Sequence, residues 1–244
     1  MTLDEIIKRN FTFISPEYEK FVREKYECNQ CSIYDCYKQV GMSEGNASNP
    51  TFMIVGEGPG EEESLAVRPF VGRAGQRLRQ ELRKYPGTFN KNNTLISNVL
   101  SCRPRDNVFP RDQEYDIRSK KKNKVKVSGR EIVNFCATKW VRREISILRP
   151  KMLVLLGAKA LEYIRGDLGI TNNRGTWKFA DREQAWVTST YHPSYVLRCQ
   201  NDEDKDFVPR QFEEDIQKIS VTWRSLLRND PRKFLMEGVG TEEQ

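Results

Sequence analysis

No stretch of the 244 residues stays apolar long enough to cross a bilayer, which excludes a membrane-spanning helix. The N-terminal MTLDEIIKRNFTF mixes acids, bases and apolar residues and lacks the hydrophobic core of a secretory signal. The expected setting is therefore intracellular: cytoplasm, nucleoid or nucleus. Without export, the six cysteines are expected to be thiols or metal ligands rather than disulfides. Neither fingerprint of a nucleotide-phosphate site is present, since the chain has no G-x-G-x-x-G and no G-K-[ST]. Internal repeats are absent too, and there is a single histidine, His192.

What is present begins with charge. Lys and Arg number 41 against 34 Asp and Glu, a net +7 that points to a polyanionic partner such as nucleic acid. The length suits one α/β domain with decorated ends. Four short apolar runs, at 51–55, 94–99, 152–156 and 186–190, read as buried parallel strands. Helical patterns separate them. Residues 72–85 put Leu78 and Leu82 four apart; residues 130–148 carry a stripe from Ile132 to Leu148 that Pro150 stops; residues 209–227 repeat Phe212, Ile216, Ile219, Trp223 and Leu226 at helical spacing. A small parallel sheet with helices on both faces is the expected architecture, with residues 1–228 as one domain and 229–244 as a loose tail. Residues 111–128, RDQEYDIRSKKKNKVKVS, are poor in apolar side chains and rich in lysine. They read as an exposed insertion, either a solvated loop or an arm that meets phosphates.

In an open parallel sheet the ligand site forms beyond the carboxyl ends of the strands. Each expected strand delivers something unusual there: GEGPG after the first, Ser97-Asn98 at the end of the second, Leu156-Gly157-Ala158 after the third and Tyr191-His192-Pro193-Ser194 after the fourth. The first of these loops poses a puzzle. A glycine-rich turn behind a strand usually cradles phosphate, yet GEGPGEEE carries four glutamates that would repel one. The cysteines form a second constellation: Cys28 and Cys31 as a C-x-x-C pair, Cys102 after the second strand and Cys136 in the following helix. Four such thiolates suit zinc or a 4Fe–4S cluster, and spacing does not separate the two. Cys36 and Cys199 read as buried, unreactive thiols.

Taken in order, the C-x-x-C pair and the stretches VGEGPGEEES, RPFVGRAGQRL, SNVLSCRPRDN, RPKMLVLLGAKAL and TYHPSYVLR resemble the iron–sulfur, or family 4, uracil-DNA glycosylases, over about Cys28 to Arg198. The resemblance implies a uracil-DNA glycosylase-like fold, three-layer α/β/α around a four-stranded parallel sheet. It implies an enzyme that flips uracil out of single- or double-stranded DNA and hydrolyses its N-glycosidic bond, initiating base excision repair. It further implies a 4Fe–4S cluster on Cys28, Cys31, Cys102 and Cys136, structural in role, with zinc as the alternative. The glutamates then have a purpose, because the departing base leaves positive charge on the sugar. Glu57, with Glu63 second, is expected to stabilise that charge and position water, while Glu61 and Glu62 favour the N-terminus of a helix.

For the rest of the pocket, the turn at Gly56 and Gly58 is expected to close over the flipped nucleotide. Phe70 is expected to stack on the base, Asn98 to read its O4/N3 edge, and His192 to donate to O2 as charge builds there. Ser194 belongs to the segment 193–197, expected to press on the minor groove. The sequence departs from the family pattern at Ser64, where Asp is usual, and at Val108, where Arg is usual. A related branch that bonds covalently to uracil carries a KRRIH-type loop, and this chain has none. The alternative is a non-catalytic DNA-binding or polymerase-associated module on the same fold. The expected state is a monomer, with replication or repair proteins as candidate partners and no membrane.

Overall fold

A computed structural model describes residues 1–118, 123–200 and 202–228. Nine strands and eleven α-helices alternate along these residues. The N-terminal third gives α1 (Leu3–Asn10), β1 (Phe11–Ile14), α2 (Pro16–Tyr26), α3 (Ser32–Tyr37) and β2 (Glu44–Ala47). The middle gives β3 (Phe52–Gly56), α4 (Glu61–Ala66), α5 (Arg73–Arg83), β4 (Thr94–Asn98), β5 (Tyr115–Arg118), β6 (Lys124–Val127), α6 (Gly129–Lys139) and α7 (Val141–Leu148). The remainder gives β7 (Met152–Leu156), α8 (Ala158–Arg165), α9 (Ile170–Asn173), β8 (Lys178–Ala180), β9 (Ala185–Thr190), α10 (Pro193–Cys199) and α11 (Phe207–Arg228). Among the described residues no helix is long and apolar enough to cross a membrane.

The four expected strands are β3, β4, β7 and β9, and they lie together, all parallel, in the order β4-β3-β7-β9. Their sequences leave no polar face because both faces are covered. Even-numbered Phe52, Ile54, Ile96, Met152, Val154 and Leu156 pack with α5, α10 and α11, whose Leu78, Leu82, Val196, Phe212 and Ile216 fill that side. Odd-numbered Met53, Val55, Leu95, Leu153 and Leu155 turn to the other side and meet Tyr18, Phe21, Ile132, Val133 and Leu161 from α2, α6 and α8. The sheet thus separates two apolar cores.

The sheet is wider than expected, seven strands in the order β1-β2-β4-β3-β7-β9-β8. β2 runs antiparallel to β4 and β8 antiparallel to β9. These additions are short and polar, EGNA in β2 and KFA in β8, so they lack the apolar run that marks a central strand. The helix expected over 130–148 is two helices that meet at Trp140, which caps the end of the first and the start of the second. Its indole is buried against Phe21, with ring centroids 5.8 Å apart, so packing of one large side chain outweighs helical continuity. Residues 111–128 are not a plain loop either: β5 and β6 pair as an antiparallel hairpin. Tyr115, Ile117 and Val127 alternate inward onto the core while Lys124 and Lys126 stay out. Lys120, Lys121, Lys122 and the tail 229–244 lie outside the described residues.

Candidate active site

The chain visits β3, then β4 on one side of it, then β7 on the other, and this reversal opens a crevice at the carboxyl ends of the strands. A cavity of about 240 Å³ occupies the crevice, lined by Glu57, Gly58, Glu63, Phe70, Asn98, His192 and Ser194 among others. Seven of the eight pocket residues expected from sequence therefore line one space. The eighth, Gly56, sits beneath it: a Cβ there would stand 2.5 Å from Asn98 Oδ1 and collide with the Phe70 ring.

Strand register sets the recognition end. Gly56 pairs with Asn98 across β3 and β4, and just beyond them Val99 and Leu100 donate their N–H groups to the carbonyls of Gly56 (2.9 Å) and Glu57 (3.0 Å). Asn98 Oδ1 is buried with no hydrogen-bond partner in the protein. Phe70 is buried in the left-handed region at φ +53°, which costs a bulky residue energy that its surroundings must hold. They do so closely, since a Cβ at Gly75 would overlap the Phe70 carbonyl. The Phe70 ring lies 5.9 Å from that of His192, tilted by 36°.

His192 is the N-cap of α10, with Pro193 in the first helical turn. Its Nδ1 accepts the Ser194 backbone N–H at 3.2 Å and lies 2.8 Å from Ser194 Oγ. That acceptor role assigns the ring proton to Nε2, which is buried with no partner. Burial first, and the charge of Arg198 second, lower its pKa from 6.5 to about 4. At neutral pH the site therefore presents a neutral imidazole with an unused N–H.

Glu57 lies under the start of α8, where its Oε1 accepts the Lys159 N–H at 3.3 Å. Burial raises its pKa, and the Lys159 amide, the Lys159 ammonium, Arg198 and Arg111 pull it part of the way back. Gly157 separates Glu57 from His192: its φ is +91°, and a Cβ would stand 2.5 Å from Glu57 Oε1 and 2.8 Å from His192 Cβ. Glu63 is differently placed. Its Oε2 accepts the Gly60 N–H at 3.2 Å and its Oε1 the Gly72 N–H at 2.7 Å, so both oxygens serve the starts of α4 and α5. Of the other two glutamates, Glu61 reaches Arg103 at 3.5 Å.

Sequence reasoning missed Ala74, Pro104, Asn107 and Phe109, which also line the cavity, and Lys159, which holds Glu57. One signal was available. Asp106-Asn107 is a pair of residue types that tolerates the left-handed region, and both residues occupy it. The turn they make is held by Arg103 Nε donating to Asn107 Oδ1 at 2.8 Å.

The four cysteines of the expected ligand set lie in or against the same apolar core. Cys31, Cys102 and Cys136 are buried and Cys28 is half-buried. Burial pushes Cys102 well above the usual thiol range, and Cys136, Cys31 and Cys28 push it further. Cys136 is likewise raised to about 12 by burial, lowered by the Ser101 amide, and raised by Cys31 and Cys28. Among the described residues no three His, Cys, Asp or Glu side chains are grouped tightly enough to hold a single metal ion.

Residues 42–217 match the family model of the Uracil DNA glycosylase superfamily. The Type-4 uracil-DNA glycosylase of Sulfurisphaera tokodaii is 31% identical over 209 residues, covering 82% of each chain. That of Thermotoga maritima is 32% identical over 203 residues, 81% of this chain and 92% of the relative. That of Archaeoglobus fulgidus is 29% identical over 209 residues, 82% and 90%.

Proposed function

Since this chain belongs to the uracil DNA glycosylase superfamily, we propose a division of labour among its pocket residues for the excision of uracil from DNA. The activity itself follows from the membership and from the type-4 relatives: the chain is an enzyme of DNA repair that hydrolyses the bond between uracil and deoxyribose. The observation that carries the residue assignment is the pair of buried, unpartnered atoms in one cavity, Asn98 Oδ1 and His192 Nε2. A buried polar atom without a partner is costly, and a ligand that supplies both partners recovers that cost.

A flipped uracil supplies them. Its N3–H meets Asn98 Oδ1, whereas cytosine has no hydrogen on N3 and leaves the oxygen unpaired. Its O2 accepts from His192 Nε2, and that hydrogen bond strengthens as the departing base gains negative charge. A neutral histidine with a depressed pKa suits this role, because it donates without having to be protonated first. Phe70 covers the ring face, and the absence of a side chain at Gly56 lets Phe70 and Asn98 close in beside it. Gly58 keeps the turn low over the sugar. Glu57 supplies the carboxylate that the cationic sugar needs, and its remaining capacity holds the attacking water. Glu63 acts through the loop, fixing the turn that carries Glu57 by tying together the first residues of α4 and α5. Ser194 fixes the histidine tautomer.

We further propose that Cys28, Cys31, Cys102 and Cys136 hold a 4Fe–4S cluster. The donor set suits it: four cysteine thiols, three of them buried, in an apolar surround. When bound, the cluster supplies a covalent junction between distant chain segments and no redox step.

The test is single-turnover excision from uracil-containing oligonucleotides, with alkali to reveal abasic sites, alongside binding to an uncleavable uracil analogue. Glu57→Gln is expected to lower the rate by roughly 100-fold or more with little change in binding, the mark of an interaction made in the transition state. Asn98→Asp is expected to slow uracil excision and relax discrimination against cytosine, because a protonated carboxyl can donate where the amide accepted. Wild-type rate in Glu57→Gln would remove this loop from the chemistry. Anaerobically purified protein should be brown; a colourless preparation with one zinc per chain would overturn the cluster.

A further inference from the structure

The lysines of the insertion suggest an arm for phosphates, but the contacts of its hairpin run inward, to the cysteine site. Arg118, the last residue of β5, engages three successive carbonyls of the C-x-x-C loop. Its Nη1 donates to Asn29 O at 2.6 Å and to Cys31 O at 3.5 Å, and its backbone N–H donates to Gln30 O at 2.9 Å. The other guanidinium nitrogen, Nη2, pairs with Asp35 in α3. Two more struts flank it: Ile117 forms an antiparallel bridge with Cys31, and the Asp116 N–H donates to Ser32 Oγ at 2.9 Å.

The base of the hairpin grips a third cysteine segment. A Cβ at Gly129, the first residue of α6, would overlap the Arg111 backbone, so the helix that carries Cys136 starts against the insertion. From the same helix Lys139 reaches Gln30, back in the C-x-x-C loop. Meanwhile the cations of β6 meet acids of their own hairpin. Lys126 lies 3.3 Å from Asp116 and 3.9 Å from Glu114, and Lys124 lies 3.8 Å from Asp116.

We propose that the hairpin is a clasp for the cysteine site and that Arg118 is its positioning residue. The proposal rests on the cluster reading given above. The loop between Cys28 and Cys31 has no regular structure of its own, so its carbonyls would otherwise face water and the loop would open by local fraying. A thiolate leaves a metal most readily when its segment frays. A planar guanidinium that meets two of these carbonyls at once resists such opening as a flexible ammonium would not.

The test uses the loaded holoprotein, challenged with an iron chelator while visible absorbance and bound iron are followed. Arg118→Ala is expected to lose iron about 10-fold faster, the lower end of what removal of an outer-shell partner costs a metal site. Arg118→Lys is expected to fall between that variant and the wild type. Excision by the still-loaded variant and the salt dependence of DNA binding are expected to stay at wild-type values. Iron loss at the wild-type rate in Arg118→Ala would overturn the clasp. So would a salt slope flatter by about 0.7–0.9, the loss of one phosphate contact, which would assign Arg118 to DNA. If the wild type carries no iron, the cluster reading fails, and the clasp is then decided by thiol-reagent labelling of Cys28 and Cys31. Faster labelling in Arg118→Ala supports it; an equal rate overturns it. Should Arg118→Ala not fold, Ser32→Ala removes a single strut and is read in the same way, with a smaller acceleration expected and no acceleration overturning the clasp.

Discussion

Glu57 and His192 are both half-buried, yet desolvation of their ionisable groups moves their pKa values in opposite directions, because each is driven toward its neutral form. The two shifts predict different pH dependences. In the role proposed for it Glu57 acts ionised, and its pKa lies above the ordinary carboxylate value. Single-turnover excision should therefore fall on the acid side at a pH above that value, and the fall should vanish in Glu57→Gln; a limb that survives in the variant would belong to another group. His192 does not add to that limb until about pH 4. It does affect stability. Between pH 6.5 and about 4 the unfolded chain takes up a proton that the folded His192 refuses, so its contribution is present above 6.5 and lost as pH falls. At 1.36 kcal/mol per unit the loss approaches about 3 kcal/mol. Urea unfolding of wild type and His192→Ala should converge by most of that amount between pH 7 and pH 4.5. A constant difference would mean that the histidine is not buried in solution. At this scale the sequence was informative where residue type is restrictive: one histidine behind a strand, one asparagine at a strand end, glycines beside bulky neighbours. For Glu63 it suggested a part beside Glu57 at the sugar, whereas both Glu63 oxygens accept the Gly60 and Gly72 amides, a commitment that depends on where two helices start.

At the scale of elements, legibility followed burial. β3, β4, β7 and β9 were readable because strands covered on both faces are mostly apolar, with small hydroxyls among the residues of β4 and β9. β1, β2 and β8 flank them with three or four residues each, too few for a period to emerge. The hairpin hid in another way. YDIR and KVKV alternate as a half-buried ribbon should, but the lysines dominated the reading of composition. Its structure changes what is expected of those lysines. Because Lys124 and Lys126 face Asp116 and Glu114, replacing both by Gln should leave the log–log salt slope of DNA binding where it was. Two phosphate contacts would instead flatten the slope by about 1.5, and that result would restore the arm.

The described residues form a sheet with an apolar core on each side, and Cys28, Cys31, Cys102 and Cys136 belong to one of them, the side of α2, α6 and α8, while Cys199 lies in the other. A cluster that joins the four of them, as proposed, links residues far apart in sequence, so its removal should lower the melting temperature, as loss of any ligand bound only by the folded state does. Equal melting of loaded and stripped protein, followed by far-UV circular dichroism, would show that the thiols are not joined. The pocket lies at the strand ends, and there the pairing of Gly56 with Asn98 has a consequence for how the enzyme could change. A residue at the end of a central ladder is placed by the hydrogen bonds of the whole sheet, and shifting the strand by one position would turn Ser97 toward the base and expose the core side chains beside it. The loops beyond the strand ends, the hairpin of β5 and β6 among them, lie outside this ladder, while position 98 is held by it. If Asn98 reads the base as proposed, a change of base preference is reached by replacing the residue at position 98 rather than by moving its backbone.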